Sequence, residues 1–230
     1  MSCLNEGWRI KLNILTEKQR TQKAGRIADT ALALFKTQSF GSISMSQIAT
    51  QSGVSKGTLF NYFETKENIF MFLLLNGYQN YFKKLIKKLQ QLPPELSNEV
   101  FCEFMIAQTR YLIRDQSVLV RLNALRAPVL EGRANIQQTL AGRKRLYEIS
   151  QRLGEVITER ITLISASEAS HLFVVQSAII SGLMNMMGLD EFNHKKLTSN
   201  FKDFRVNLET DAVQAFKFYL DGFLASKTGK

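Results

Sequence analysis

The sequence predicts an all-α protein: an N-terminal three-helix unit containing a helix-turn-helix, followed by a larger helical body. Three observations predict it. Pro occurs three times and Gly 13 times in 230 residues, which suits helices better than a turn-rich β domain. Ala24, Ile27, Ala28, Ala31, Leu34 and Phe35 recur at helical spacing, with Lys and Arg off that stripe. Two short helical patterns then flank a break at Ser52-Gly53-Val54.

The first helix is expected over residues 16–37, stopped near Gly41. Ser44 caps a second, short helix, with Gln47 three residues on completing a capping box and Ile48 and Ala49 facing inward. Gly53 can take the left-handed conformation of a tight turn, and Val54 can plug the core. Ser55 caps a third helix running to Asn61 or Tyr62. A fourth is expected over 65–90, stopped by Pro93-Pro94, with Lys83, Lys84, Lys87 and Lys88 facing solvent near its end. Further helices read as 97–114, 117–127, 134–161, 166–188 and 208–226, with Ser165 and Glu168 forming a capping box.

Composition narrows the function classes. At 45% hydrophobic with 16 Phe, the chain can bury a core and does not read as disordered. Cys3 and Cys102 are too few for a disulfide framework or a multi-ligand zinc site. Glu6, Arg9 and Lys11 interrupt any apolar run near the start, so a cytoplasmic location is expected. Residues 169–189 are a run of 21 without formal charge, nominally long enough to cross a bilayer. His171, Gln176, Ser177, Ser181 and Asn185 within it are poor for lipid and ordinary for a buried helix, so no membrane partner is expected.

The net charge of +10 is uneven. Residues 1–66 hold nine Lys/Arg and four Asp/Glu, whereas 67–230 hold 21 and 16. Both parts therefore net +5, but the first does so in far fewer residues. Its cations gather at Lys18, Arg20, Lys23 and Arg26, which alone reads equally as a solvated helix face.

The run from Ser44 through Ile48-Ala49, Gly53-Val54-Ser55-Lys56-Gly57-Thr58-Leu59-Phe60, Tyr62-Phe63, Lys66-Glu67 and Ile69 is more specific. In order and spacing it resembles the DNA-binding domain of the TetR/AcrR family of bacterial transcriptional regulators, over roughly residues 18–75. Three positions depart from the family pattern: Phe60 stands where Tyr is usual, and Ser44 and Ser52 replace the more usual Thr and Ala. The resemblance implies an arm over 1–17, a DNA-binding domain over 18–64, and an effector-binding and dimerisation domain over 65–230.

A recognition helix must enter a major groove roughly 12 Å wide, with its N-terminal residues at the base edges. Ser55, Lys56, Gly57 and Thr58 supply small residues and a cation there. Lys56 can donate to guanine O6 and N7, or to phosphate. Gly57 allows close backbone approach, and the Thr58 methyl can touch a thymine methyl. Phe60 either packs on sugar or thymine methyl or belongs to the core; Leu59, Phe63, Ile48 and Val54 are core. Resemblance makes Tyr62 and Lys66 phosphate contacts and puts Ser46 where some relatives read a base. Ser44, Gln47 and Asn61 complete the expected DNA-contacting set, and the arm with Lys18 and Arg20 can add backbone or minor-groove contacts.

In the body, Ser177, Ser181 and Asn185 form one row at four-residue spacing, and Ala178 and Gly182 the next. Small residues in rows admit another helix closely. With Val213, Phe216, Leu220, Phe223 and Leu224 of the last helix they either form half of a two-fold four-helix interface or pack inside one subunit. Resemblance implies the homodimer, which also suits one helix-turn-helix per chain. An effector pocket is expected from Phe101, Phe104, Met105, Gln108, Tyr111, Tyr147, His171, Phe173, Gln176 and Met184, each of which also reads as plain core. Arg110, Arg114, Arg121 and Arg126 either meet an anionic effector or are solvated.

The expected function is therefore a ligand-responsive repressor that binds a palindromic operator as a homodimer. An unknown small molecule would favour a conformation in which the fourth helix tilts and the two heads lose operator spacing. The alternative is a sequence-tolerant architectural DNA-binding dimer without an effector. An enzyme is disfavoured: there are two His in all, no Gly-rich phosphate loop, no His-Glu-x-x-His and no nucleophile elbow. No catalytic residue and no cofactor are expected, and His171 with Cys102, at no recognisable spacing, is weak as a metal site.

Overall fold

The computed structural model describes residues 16–193 and 205–228, and among these it contains helices and no strand. The expected arm over 1–17 lies almost wholly outside the described residues, as does the side chain of Lys18. The chain divides into two compact units after Tyr62.

The first unit holds α1 (Glu17–Thr37), α2 (Met45–Gln51) and α3 (Lys56–Tyr62). Its core is the predicted stripe: Ile27, Ala28, Ala31, Leu34 and Phe35 are buried, together with Ile43, Ile48, Ala49 and Leu59. α1 opens on a capping box that the sequence reading missed. The Gln19 N–H donates to Thr16 Oγ1 at 3.3 Å while the Thr16 N–H donates to Gln19 Oε1 at 2.9 Å. It closes on Gln38 in extended backbone, whose N–H reaches the Leu34 carbonyl at 2.9 Å. Gly41 is therefore not the stop, and Gly53 is the glycine with positive φ among the described residues.

The box expected at α2 is half formed. The Ser44 hydroxyl accepts from the Gln47 N–H at 3.1 Å, but the Gln47 amide donates to Gln38 Oε1 instead of returning to Ser44. The break after α2 is a complete Schellman turn: the Val54 N–H reaches the Ala49 carbonyl at 3.1 Å and the Gly53 N–H the Thr50 carbonyl at 3.2 Å. Gly53 sits at φ 68°, the left-handed conformation such a turn requires. Val54 is half-buried, a rim residue of the turn instead of a core plug.

The second unit holds α4 (Lys66–Gln90), α5 (Asn98–Asp115), α6 (Ser117–Leu125), α7 (Ile136–Thr158), α8 (Ala166–Asn193) and α9 (Leu208–Thr228). α4 packs along α7 and against α6, α5 packs on α9, and α8 touches α6, α7 and α9. α4 is buried on more than one face, through Ile69, Phe70, Met71, Leu74, Tyr78, Tyr81, Phe82 and Leu85. Its last carbonyls are satisfied partly from outside, since Arg160 Nε donates to the Leu89 carbonyl at 2.6 Å.

The sequence runs the sixth helix to residue 127, whereas α6 ends at Leu125 and the chain widens into a π-helical turn, Arg126–Leu130. Pro128 is the physical reason: it has no N–H to give and its ring crowds the preceding turn, so the Glu131 N–H bonds five residues back, to the Arg126 carbonyl. α8 begins with the predicted box, the Ser165 N–H donating to Glu168 Oε2 at 2.9 Å and the Glu168 N–H to Ser165 Oγ at 3.3 Å. Its segment Ala166–Met187 is long and apolar enough to cross a membrane by length and composition. Here Ala169, Leu172, Phe173 and Ile180 are buried, and buried Gln176 donates to Thr109 Oγ1 at 2.9 Å.

Candidate nucleic-acid interface and ligand cavity

In the first unit, Ser55 fixes the entry to α3: its hydroxyl accepts from the Thr58 N–H at 3.1 Å and donates to the Thr58 hydroxyl at 2.9 Å. That mutual bond turns both small side chains toward one another at the helix start. Lys56 and Gly57 are exposed there, and open space surrounds the position where a Gly57 Cβ would stand. Phe60 is 48% exposed, so of its two readings the core is excluded. Asn61, Ser44 and Ser46 are exposed, Thr58 and Gln47 half-buried.

Tyr62, at the end of α3, gathers charge from α1. The Arg20 guanidinium and the Lys23 ammonium each lie 6.0 Å from its ring centroid, within cation–π range. Arg20 Nη2 also points to the Asn61 carbonyl, at 3.5 Å. One phenol hydroxyl and two cations therefore converge at the α3 terminus, a set of donors suited to phosphate oxygens. Lys23 was not among the expected contacts. Its spacing of three from Arg20 on a helix was the available signal.

Lys66 belongs to the second unit, in the first turn of α4, and is half-buried. Burial first, and the Arg133 charge, draw its ammonium below the usual lysine range, against the opposing pull of Glu67. The α4 start is further organised by Thr65, whose hydroxyl accepts from the Asn68 N–H at 3.1 Å.

Among the described residues, the ten expected pocket residues are spread over several environments. Phe101, Met105, Gln108 and Gln176 are packed in the interior. His171 is exposed in a recess with Tyr219 and Phe223, and Tyr111 stacks on Tyr81 at 6.2 Å. Phe104 and Met184 are half-buried elsewhere. Tyr147 and Phe173 do line a cavity of about 410 Å³, together with Tyr78, Phe82, Arg126 and Glu131. Helical periodicity finds apolar positions but cannot say which packed face leaves space.

The rows proposed for a second subunit separate in the same way. Ser177 meets the Tyr78 hydroxyl at 3.4 Å, and Ser181 accepts from Asn123 Nδ2 at 2.7 Å, so both are committed within the chain. Val174, Ala178, Gly182 and Met186 on α8 remain exposed, with open space at the Gly182 Cβ position. On α9, Phe216, Leu220 and Leu224 are buried in their own subunit, which corrects the expectation that they face a partner. The exposed side of α9 carries Ala215, Phe218 (66% exposed) and Gly222 instead.

Residues 27–71 match the family model "Bacterial regulatory proteins, tetR family". Residues 75–227 match "Tetracyclin repressor-like, C-terminal domain". No curated protein matches the chain. Among solved structures, a TetR-family transcriptional regulator from Syntrophomonas wolfei is 17% identical with a TM-score of 0.55, over 90% of this chain and 97% of that one. The fatty acid degradation regulator FadR from Bacillus halodurans is 16% identical with a TM-score of 0.52, over 86% and 94%. A TetR transcriptional regulator from Rhodococcus sp. RHA1 is 18% identical with a TM-score of 0.51, over 89% and 97%. These likenesses establish the fold.

Proposed function

The chain belongs to the tetR family of bacterial regulatory proteins, a family of DNA-binding transcription regulators, and on that premise we propose that it is a cytoplasmic homodimeric repressor of a palindromic operator, released by a small molecule. Residues 18–64 bind DNA, with Lys18 and Arg20 adding backbone or minor-groove contacts, residues 65–230 bind the effector and the second subunit, and residues 1–17 are an N-terminal arm. The observation that carries the reading is the exposed start of α3, Lys56 and Gly57, on a helix whose entry is set by the Gly53 turn. Lys56, Thr58 and Phe60 address base edges and thymine methyls; Ser55 and Gly57 allow the approach. Ser44, Tyr62 and Lys66 hold phosphates, joined by Arg20 and Lys23, while Ser46, Gln47 and Asn61 lie at the groove margin.

The exposed strips Val174–Ala178–Gly182 on α8 and Ala215–Phe218–Gly222 on α9 support a two-fold helical interface. Two copies give two recognition helices for half-sites roughly 34–36 Å apart. An effector releases DNA only to the extent that it binds the low-affinity conformation better.

A gel shift on the DNA flanking the protein's own gene, with and without cell extract, tests the reading. Tight, sequence-selective binding to a palindrome, relieved by extract, is expected. Equal binding to any duplex would replace it with an architectural role, and a monomeric mass at micromolar concentration would remove the dimer.

A further inference from the structure

The 410 Å³ cavity falls within the roughly 300–1,000 Å³ of small-molecule sites. Tyr78 and Phe82 of α4, Tyr147 of α7 and Phe173 of α8 give it an aromatic wall. Apart from the exposed Tyr147 hydroxyl, the main neutral polar groups along it are already engaged. Ser181 accepts from Asn123, Ser170 Oγ donates to the Ser150 carbonyl at 2.8 Å, and Ser177 meets Tyr78. A ligand gains little from them beyond contact.

The charged corner differs. Arg126 Nε and Arg143 Nη1 both donate to one carboxylate oxygen, Glu131 Oε1, at 2.8 and 3.0 Å. Two guanidinium charges thus share a single carboxylate beside an apolar slot. Arg143 is further committed through Nε to Thr139 Oγ1 at 3.1 Å, and its side chain is 18% exposed. The Arg126 side chain is 43% exposed, and its two terminal nitrogens have no hydrogen-bond partner among the described residues. An unbalanced guanidinium fork at the edge of an apolar cavity is matched by a planar anion, and Arg offers that match in bidentate form. A cationic ligand would meet a net positive corner, and a neutral one would leave the fork unpaired.

We infer that the cavity takes an organic monoanion: an apolar, aliphatic or aromatic body ending in one carboxylate, which Arg126 binds through its terminal nitrogens. The inference rests on reading the body as an effector domain and names the class of that effector. It also gives the ligand a point of action. Arg126 and Glu131 bracket the π-helical turn, and Asn135 just beyond it is hydrogen-bonded to Asn68 in the first turn of α4. A carboxylate that draws Arg126 away from Glu131 therefore acts on the segment that holds the start of α4.

The test uses the full chain, calorimetric titration and thermal shift, with decanoate and 4-phenylbutyrate as probes. Decanamide and decylamine carry the same decyl body as decanoate with a neutral or a cationic end. Both carboxylates are expected to bind and raise the melting temperature, with decanamide and decylamine roughly tenfold weaker or worse than decanoate. Arg126→Gln should lose about that factor for the carboxylates, Arg126→Lys part of it, and Arg110→Gln, on the separate groove between α5 and α9, none. Equal affinity for decanoate and decanamide overturns the inference. So does an Arg126→Gln protein that binds the carboxylates like wild type, or no carboxylate binding at millimolar concentration. Operator binding and mass are measured on the same preparations. Intact operator binding with any of these failures removes only the ligand class, whereas its loss removes the regulator reading itself.

Discussion

Asn68 and Asn135 hold one another by hydrogen bonds in both directions: Asn68 Nδ2 donates to the Asn135 carbonyl at 3.1 Å, and the Asn135 N–H donates to Asn68 Oδ1, also at 3.1 Å. Asn68 is 2% exposed in the first turn of α4. Asn135 is the N-cap of α7, its Oδ1 accepting from the Gln137 N–H at 2.8 Å while its Nδ2 donates to Glu64 Oε2 at 2.6 Å. One side chain, that of Asn68, clasping the backbone N–H and carbonyl of Asn135, thus fixes the beginnings of the two helices that pack most extensively on each other.

Because the clasp is buried on the Asn68 side, removing one partner costs more than the bonds alone contribute. Asn68→Ala should destabilise the protein by about 1–3 kcal/mol, the range for a buried polar group left unpaired. Asn68→Asp keeps the acceptor but sets a buried carboxylate oxygen against the Asn135 carbonyl, so it should cost at least as much. Urea denaturation of the full chain measures this, and an unchanged midpoint for Asn68→Ala would show that the clasp adds nothing to stability.

Gly53 and Gly57 should respond to alanine with opposite signs. A Cβ at either meets no atom within 4 Å, so packing does not decide the outcome. Gly53 has φ 68°, and Gly53→Ala should cost about 1–2 kcal/mol of backbone strain, with Gly53→Asn costing less. Gly57 lies in the first turn of α3, where Gly→Ala should stabilise by less than the about 1 kcal/mol of a helix interior. The same methyl obstructs the groove, so Gly57→Ala should melt higher and bind operator more weakly. Wild-type operator affinity in Gly57→Ala would remove the close-approach role.

What the sequence made legible was whatever depends on neighbours within a turn or two. Caps at Ser44, Ser55 and Ser165, the left-handed Gly53 and the apolar stripe of α1 all follow from local chemistry. The misses depend on tertiary partners. Gln47 abandons its capping box because Gln38 is within reach, and Phe216, Leu220 and Leu224 face their own subunit because α5 and α8 are there to cover them. The π-helical turn was readable in principle from Pro128, and Arg126 was one of four arginines readable as meeting an anionic effector or as solvated; which of the four stands at a cavity edge was not. Likewise the convergence of Lys23 on Tyr62 requires knowing how α1 crosses α3.

Base reading and phosphate binding separate by their salt dependence. Lys23→Ala removes one cation beside Tyr62, so it should weaken every duplex alike and reduce the slope of log affinity against log salt by about one. Lys56→Ala should instead relax preference at particular operator positions. Fluorescence anisotropy on the operator and on singly substituted duplexes, over a range of salt, distinguishes them. Uniform weakening by Lys56→Ala would reassign that residue to phosphate.

Glu168 gives a pH dependence whose direction can be worked out. It bonds Lys227 of α9 and closes the capping box with the Ser165 N–H and hydroxyl, and these contacts, Lys227 first, lower its pKa from the ordinary 4.5 to about 2. The unfolded chain therefore binds the proton more tightly than the folded one. The stability from Glu168 is complete above pH 4.5 and drains away as pH falls toward 2. Glu168→Gln has no such proton to take up. The stability gap between wild type and Glu168→Gln should be constant above that window and narrow steadily through it. Other lowered carboxylates, Glu131 and Glu209 among them, also lose their pairing in acid, but they do so in both proteins and cancel in the difference. Urea midpoints of the two proteins across that range make the comparison. A gap that does not change with pH would mean that Glu168 titrates at its ordinary value and that α9 is not held to the start of α8 through its charge.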